Sequence, residues 1–451
     1  MGQAPSDPAF ALLRQAAADT GAHVWVVGGY VRDQLLGRDH PDLDVVAEGG
    51  LAAGVAARFA ELAGARPPVV FPRFGTAQVT WEGRLFEFVS ARSERYHPSS
   101  RKPSVQPATI EEDLRRRDFT VNTMLMDLDG TVHDPLGGRA DLERGLLRTP
   151  DDPERTFSDD PLRMLRGARF VAELGFSLDP ALLPVMRRMH ERLRPPVISV
   201  ERIADELRKM LVSPRPTAAL EVLDEGGLLE VVLPELSACH GVHQGGWHTA
   251  DVFGHTLLAV AGTPPDLEIR LAALLHDVGK PATAAPDGSF HRHEEVGAEL
   301  AEEVLTRLRF PAALTGDVAR LVRLHLRPVY YTSEWGDGAV RRLARDAGPL
   351  LDPLMALARA DIGASAYPNP EKLDELADRL RAVREERPSR LELPVSGRDI
   401  MRVRGLRPGP EVGRLKTELE ELVLDGTLPP DRDAILEYLR GVGRRDDRPP
   451  T

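Results

Sequence analysis

The sequence predicts an α+β fold in which a small β-sheet head with helices precedes a long, predominantly helical body. Three observations carry this prediction. Short apolar runs bounded by Gly, Pro and Asp crowd the first third of the chain. From about Ser158 onward, apolar residues recur at helical spacing instead. The 451 residues, 42% of them apolar, exceed what one core holds and suffice for about three.

Within the head, His23–Val27 (HVWVV) ends in Gly28-Gly29 and leads into a helical stretch around Val31–Leu36. Leu43–Val46, Val69–Val70, Gln78–Trp81 and Leu85–Val89 read as strands, and Asp127–Gly130 as the turn between two further strand-like runs. In the body, Pro161–Leu174, Leu182–Leu193, Val200–Leu211 and Thr217–Leu223 carry helical periodicity. Joints are expected at Leu233–Glu235, Ser365–Pro370 and Arg387–Pro394, and a frayed end at Arg444–Thr451.

The 58 Lys+Arg and 70 Asp+Glu give a net charge of −12, which argues against a cationic nucleic-acid coat and against a membrane-surface protein. A local basic track remains compatible with that balance. The single cysteine, Cys239, cannot form an internal disulfide and fits a reducing compartment. The first residues lack the basic-then-apolar layout of a signal peptide, and no apolar run approaches the ~18 residues of a membrane helix. The expected location is the cytoplasm, with no membrane partner.

Asp42 and Asp44 stand two apart in Asp-Leu-Asp-Val-Val. On a strand such residues share a face, so both carboxylates can converge on Mg²⁺, which takes oxygen ligands and shares them with phosphates. Gly28-Gly29 permits close backbone approach to an anion at a helix start, and Arg32 lies one turn on. Standing alone, Asp42 and Asp44 read rather as solvated turn residues after Pro41.

Further stretches accompany this one. Gly28-Gly-Tyr-Val-Arg-Asp-Gln-Leu-Leu-Gly-Arg38 with Asp42-Leu-Asp44 resembles the signature of class II tRNA nucleotidyltransferases and bacterial poly(A) polymerases. Arg116–Asn122 (RRDFTVN), Asp134–Asp141 (DPLGGRAD), Asp159–Arg166 (DDPLRMLR) and Ile198–Glu206 (ISVERIADE) are similar to that family's later motifs, in the family's order. The resemblance covers residues 24–211. It implies that Asp42 and Asp44 hold two Mg²⁺ ions, with Glu87 as a third acid or, equally, a cross-strand salt-bridge partner. It implies that Gly28, Gly29 and Arg32 cradle a triphosphate, and that Arg117, Asp118 and Asn122 contact the ribose. Asp160 and Arg163, three apart on one helical face, would imitate a base-pairing edge shared by C and A, with Arg166 stacking or touching phosphate. Capping after Ser158 is a second role for Asp159 and Asp160. Asp159 replaces the family's usual Glu, and Thr123 its common Ala. Arg92–Tyr96 through Arg101–Pro103 resembles the loop used in switching from C to A, which favours full CCA synthesis.

A second ordered pattern comprises His255, His276-Asp277, His293, His325 and Asp361. It resembles the metal site of HD-superfamily phosphohydrolases. Imidazole with carboxylate suits Mn, Ni, Fe or Mg rather than structural zinc. Lys280 would meet a substrate phosphate or favour a helix end, and His243, His248 and His291 read as surface or supporting residues.

The implied organisation is a nucleotidyltransferase head (1–145), a helical neck (146–235), an HD domain (236–365) and a helical tail (366–451). Arg379, Arg381, Arg384, Arg387 and Arg390 in that tail suit either tRNA contact or a solvated helix face. The implied activity is addition of CCA to tRNA from CTP and ATP, with HD-domain hydrolysis of 2′,3′-cyclic or 2′-phosphates, in a monomer or homodimer. The alternatives are a poly(A) polymerase, an A-only or CC-only enzyme, or an RNA-binding HD hydrolase with an inactive head.

Overall fold

The computed structural model describes residues 7–39, 42–72, 75–95, 104–246, 249–367, 369–386, 393–424 and 426–441. The chain divides into two compact units, Met1–Pro234 and Glu235–Thr451.

The first unit is built on a seven-stranded sheet. Its strands are β1 (Val24–Val27), β2 (Leu43–Ala47), β3 (Val69–Phe71), β4 (Thr76–Trp81), β5 (Arg84–Ser90), β8 (Leu125–Met126) and β9 (Val132–His133). A separate ribbon pairs β6 (Arg92–Arg95) with β7 (Ser104–Pro107). The sheet order is β3-β4-β5-β2-β1-β8-β9, and only the β2–β5 pair is parallel. The turn expected at Asp127–Gly130 joins β8 and β9, closed by Gly130 N donating to Asp127 O at 3.1 Å.

Alternation along these strands separates two faces. Leu43, Val45, Phe86 and Phe88 are buried on one side, where Phe59 of the helix Ala52–Leu62 packs its ring 4.8 Å from Phe86 and 5.5 Å from Phe88. Helix Pro8–Thr20 also belongs to this core through Phe10, whose ring lies 5.9 Å from that of Tyr30. Both helices escaped the sequence reading because Ala-rich turns carry a weak apolar stripe.

From Pro153 the unit is nearly all helix, with Leu162–Leu174, Leu182–Met189, Val200–Val212 and Pro216–Glu225 close to the expected spans. One expectation needs correction. Asp160 and Arg163 do not share a helix face: one helix ends at Asp159, Asp160 is extended (φ −143°, ψ 102°), and the next begins at Leu162. Pro161 causes the break, since its ring disfavours helical backbone at the preceding residue.

The second unit is predominantly helical among its described residues. Helices Val252–Ala261, Leu267–Leu275, His293–Arg307, Ala312–Leu324 and Leu351–Gly363 form its main body. Residues beyond this body make a small helical unit of Gly397–Arg404, Pro410–Leu424 and Arg432–Gly441. It has its own core of Val395, Ile400, Leu419, Val423, Leu428, Ile435 and Leu439. Among the described residues no helix is long and apolar enough to cross a membrane.

The segment Asp134–Asp141, one of the family-like motifs, acts as a brace. Asp134 accepts from Gly138 N (2.7 Å) and Arg139 N (2.9 Å), while Asp141 accepts from the Thr120 hydroxyl (2.6 Å) and pairs with Arg148 (2.7 Å). Gly138 is where helix Gly138–Arg144 meets the Thr120 backbone, and a Cβ there would stand 2.2 Å from Thr120 O. Gly138→Ala is therefore expected to cost about 1–3 kcal/mol of stability, read as a lower midpoint in urea unfolding.

Candidate functional site

The head's polar face carries an in-register row, Val27–Asp44–Glu87–Gln78, across β1, β2, β5 and β4. Asp44 and Glu87 thus project side by side, opposite the phenylalanine face, and Glu87 accepts from Gln78 Nε2 at 3.3 Å. Gly28 closes over this row with φ +73°. A Cβ there would lie 2.8 Å from Asp44 Oδ2 and 3.5 Å from Arg117 Nη1, so both backbone sign and space demand glycine. Asp42 is exposed, accepts from Leu85 N at 3.0 Å, and is not among the residues lining the cavity over this face.

That cavity measures about 450 Å³ and is lined by eight arginines against the four acids Asp44, Glu87, Asp118 and Asp160. A pocket whose lining carries more guanidinium groups than carboxylates therefore sits in a chain of net charge −12. Buried carboxylates hold these arginines in place. Asp118 accepts from Arg166 Nε (2.7 Å), Asn122 Nδ2 (3.0 Å) and Phe119 N (2.8 Å). Burial alone would raise its pKa, but the Arg166 guanidinium and these hydrogen bonds hold the carboxyl well below the usual range. Asp113, fully buried, accepts from Arg116 Nε (3.0 Å) and Arg117 Nη2 (3.2 Å). Those two charges likewise outweigh burial and keep it ionised. Glu206 accepts from Arg169 Nε at 2.7 Å.

Arg32 is buried, pairs with both oxygens of Asp33 at 2.8 Å, and donates to Asn122 Oδ1 at 2.9 Å. All three guanidinium nitrogens are engaged, so Arg32 orients Asn122 while still lining the cavity. Phe170 forms a floor under the guanidinium carbons of Arg32, Arg166 and Arg169, at 5.3, 5.5 and 4.3 Å from its centroid. Asp160 accepts from Leu162 N (3.1 Å), the capping role considered for it, and from Arg202 Nη2 (2.7 Å). Arg163 donates to the carbonyls of Thr156 (3.0 Å) and Arg116 (2.5 Å). Arg117, Asn122 and Gly29 also line the cavity.

Asp113, Arg169, Phe170 and Arg202 were missed from sequence. Arg169 was findable, one turn beyond Arg166 on the same helix. Asp113 gave no signal, because one acid among Glu111, Glu112 and Asp113 looks no different from its neighbours. In the loop expected to switch nucleotides, β6 and β7 pair, while Tyr96 and Arg101–Pro103 lie outside the described residues.

In the second unit all six expected metal ligands converge, each buried. His255 Nε2 lies 3.0 Å from Asp361 Oδ1 and 3.2 Å from His276 Nε2. His276 Nε2 is 3.2 Å from Asp277 Oδ2, and His293 Nε2 is 3.3 Å from Asp277 Oδ1. His325 Nε2 stands 3.8 Å from Asp277 Oδ1. The Nδ1 atoms of His276, His293 and His325 face the carbonyls of Ala273, Phe290 and Val322 at 2.8, 2.8 and 2.6 Å, which aims each Nε2 inward. Asp277 Oδ1, His293 Nε2 and His325 Nε2 are buried without a hydrogen-bond partner. Three orphaned lone-pair atoms around one point fit a divalent cation, and a donor set of imidazole and carboxylate without thiolate suits Mn, Ni, Fe or Mg. Gly279 makes this packing feasible, since a Cβ there would meet His293 O at 2.2 Å and Gly297 N at 2.6 Å.

Lys280 pairs with Asp277 Oδ2 at 2.6 Å. His291 lines the cavity beside the cluster, His243 makes a backbone bridge to Asp251, and His248 lies outside the described residues.

Fold and sites define a nucleotidyltransferase head joined to an HD domain. Residues 24–148 match the poly A polymerase head domain, residues 175–239 the probable RNA and SrmB-binding site of polymerase A, and residues 251–364 the HD domain. The chain is 38% identical to the A-adding tRNA nucleotidyltransferase of Deinococcus radiodurans, over 88% of this chain and 90% of that protein. It is 37% identical to the CC-adding tRNA nucleotidyltransferase of Thermus thermophilus, over 92% and 93%. The solved structure of the Bacillus stearothermophilus CCA-adding enzyme in complex with CTP superposes with a TM-score of 0.71 at 27% identity, covering 97% of this chain and 98% of that one. The chain belongs to the tRNA nucleotidyltransferase family.

Burial disfavours a charged His276, yet the Asp277 and Asp361 charges override it and raise its pKa to about 9; burial lowers that of His325 to about 3. Without metal, His276 thus carries a proton that a metal must displace. Metal affinity measured by competitive chelator titration should rise from pH 6 toward pH 9 and level off above; a flat profile would contradict this.

Proposed function

We propose that the protein completes tRNA 3′ ends, adding C, C and A from CTP and ATP with release of pyrophosphate, and that its HD domain hydrolyses 2′,3′-cyclic or 2′-phosphates. The observation that carries the first part is the arginine-lined cavity standing over Asp44 and Glu87 with Gly28 against them. In this reading the chain comprises a head (1–145), a neck (146–235), an HD domain (236–365) and a tail (366–451) that touches tRNA. It acts in the cytoplasm as a monomer or homodimer.

Asp42, Asp44 and Glu87 would hold Mg²⁺, an all-carboxylate set suited to a hard cation, which when bound neutralises phosphate charge and activates the attacking hydroxyl. The 3′-oxygen forms a bond to the α-phosphorus, the bond to the β-phosphate oxygen breaks, and the hydroxyl proton leaves to solvent. Asp42 would join them on releasing the hydrogen bond that it accepts from Leu85 N. Arg117, Asp118 and Asn122 face the ribose, the last two fixed by the Arg32–Asn122–Asp118–Arg166 chain of hydrogen bonds. Asp160 accepts and Arg163 donates toward the base. C and A both offer an amine beside a ring acceptor, whereas U and G offer a carbonyl beside an N–H and would leave Asp160 facing oxygen.

In the HD domain, His255, His276, Asp277, His293, His325 and Asp361 would hold a divalent metal that supplies activated water. Water adds to phosphorus, one ester P–O bond breaks, and the departing oxygen takes a proton.

A second reading, addition of A alone or CC alone, draws on the names of the two relatives that match nearly the whole chain. Purified protein with Mg²⁺ and tRNA transcripts ending before, within or just short of CCA, offered each NTP separately, distinguishes them. Stepwise C, C and A incorporation is expected; long A tails or no incorporation would overturn the proposal. Asp42→Ala and Asp44→Ala should abolish incorporation while leaving cyclic-phosphate hydrolysis intact. Asp160→Ala should raise UTP and GTP misincorporation more than it raises KM for CTP.

A further inference from the structure

We propose that Tyr330 and Gln244 are substrate-binding residues of the HD cavity: Tyr330 stacks on a nucleobase, and the Gln244 amide donates to a phosphate or ribose oxygen. This rests on the phosphohydrolase reading and sharpens it, since it makes the base, and not the phosphoester alone, a determinant of recognition.

The cavity that opens from Asp277, His293, His325 and Asp361 measures about 600 Å³. That is the size of pockets for drug- and nucleotide-sized ligands rather than for phosphate. Gln244 lies in its wall. Its Oε1 accepts from the Lys280 ammonium, which has no lone pair, so the identity of the two amide ends is settled by chemistry. The other end, Nε2, is buried with no hydrogen-bond partner. A buried N–H left unmade is costly, and a ligand oxygen in the cavity satisfies it. Lys280 also pairs with Asp277, so a Gln244–Lys280–Asp277 chain runs from the ligand wall to the centre of the metal cluster.

Tyr330 faces the same cavity and is 66% exposed, the most exposed large hydrophobic side chain among the described residues. Its backbone is fixed by a hydrogen bond to Leu326 O at 2.9 Å, directly after the ligand His325. A second wall aromatic, Tyr367, is already occupied: its hydroxyl accepts from Lys372 Nζ at 2.7 Å, and its ring lies 4.2 Å from that ammonium. Two of the chain's six tyrosines therefore line one cavity, and Tyr330 is the one whose ring remains in water. Stacking a base is the interaction that covers such a face without demanding a particular sequence.

The test compares adenosine 2′,3′-cyclic phosphate with glycerol 1,2-cyclic phosphate, the same five-membered ester without a base, on the full metal-loaded chain. Binding of adenosine 2′-monophosphate is measured in parallel by equilibrium dialysis. Tyr330→Ala should lower kcat/KM for the adenosine ester and weaken adenosine 2′-monophosphate binding by roughly ten- to hundredfold, the range of base–aromatic stacking. It should leave the glycerol ester within about twofold, because that ester offers no ring to stack. Tyr330→Phe should retain wild-type values, and Gln244→Ala should impair both esters. Equal effects of Tyr330→Ala on the two esters, or no effect on either, would overturn the proposal. If the wild-type chain hydrolyses neither ester with Mg, Mn, Ni or Fe, the phosphohydrolase reading fails on its own. The dialysis then decides the inference: weaker binding by Tyr330→Ala upholds it, and unchanged binding ends it.

Discussion

Burying a carboxylate in order to immobilise a guanidinium is the constraint on which the head site depends. Arginine has a long side chain, and an unanchored one would sample many rotamers before meeting a nucleotide. Asp118, Asp113 and Glu206 remove that freedom from Arg166, Arg116, Arg117 and Arg169, and each is itself almost or wholly out of water. The arrangement is stable only because both charges are present. A lone buried carboxylate would take up a proton and a lone buried guanidinium would expel itself to solvent. Phe170 adds a flat apolar support beneath Arg32, Arg166 and Arg169. Preorganisation of this kind lets the site receive an anionic ligand without spending binding free energy on ordering its own side chains.

The sheet supplies the other half of that order. Because β2 and β5 pair in parallel register, backbone hydrogen bonds set Asp44 and Glu87 side by side on one face. A slip of one residue would turn both acids into the phenylalanine core, where Phe59 leaves no room for charge. The apolar face thus fixes the chemistry of the polar one.

Much of this was legible in the residues. The strands around Val24–Val27, Leu43–Ala47 and Arg84–Ser90 announce themselves by short apolar runs bounded by Gly, Pro or Asp, and the His–Asp cluster by the order of its residues along the chain. What escaped was of two kinds. Helices Pro8–Thr20 and Ala52–Leu62 are rich in alanine, which forms helix well but marks no face. Partners such as Asp113 and Arg202 matter through pairings 21 or 42 residues away in sequence, with Arg92 and Asp160, and no local pattern encodes them. Asp160 and Arg163 illustrate the opposite error, a helical spacing read correctly across a proline that ends the helix. Arg32 lines the cavity as its position suggested, and its pairing with the adjacent Asp33 is a contact that the position alone did not announce.

Each of the two sites draws its described residues from one compact unit, the head cavity from residues 27–202 and the His–Asp cluster from residues 255–361. Among the described residues, neither site borrows a side chain from the other unit. The peptide link near Pro234 therefore joins two sites whose described residues do not overlap. A lineage could discard, silence or exchange one without dismantling the other, and drift in either set of ligands would accumulate on its own clock.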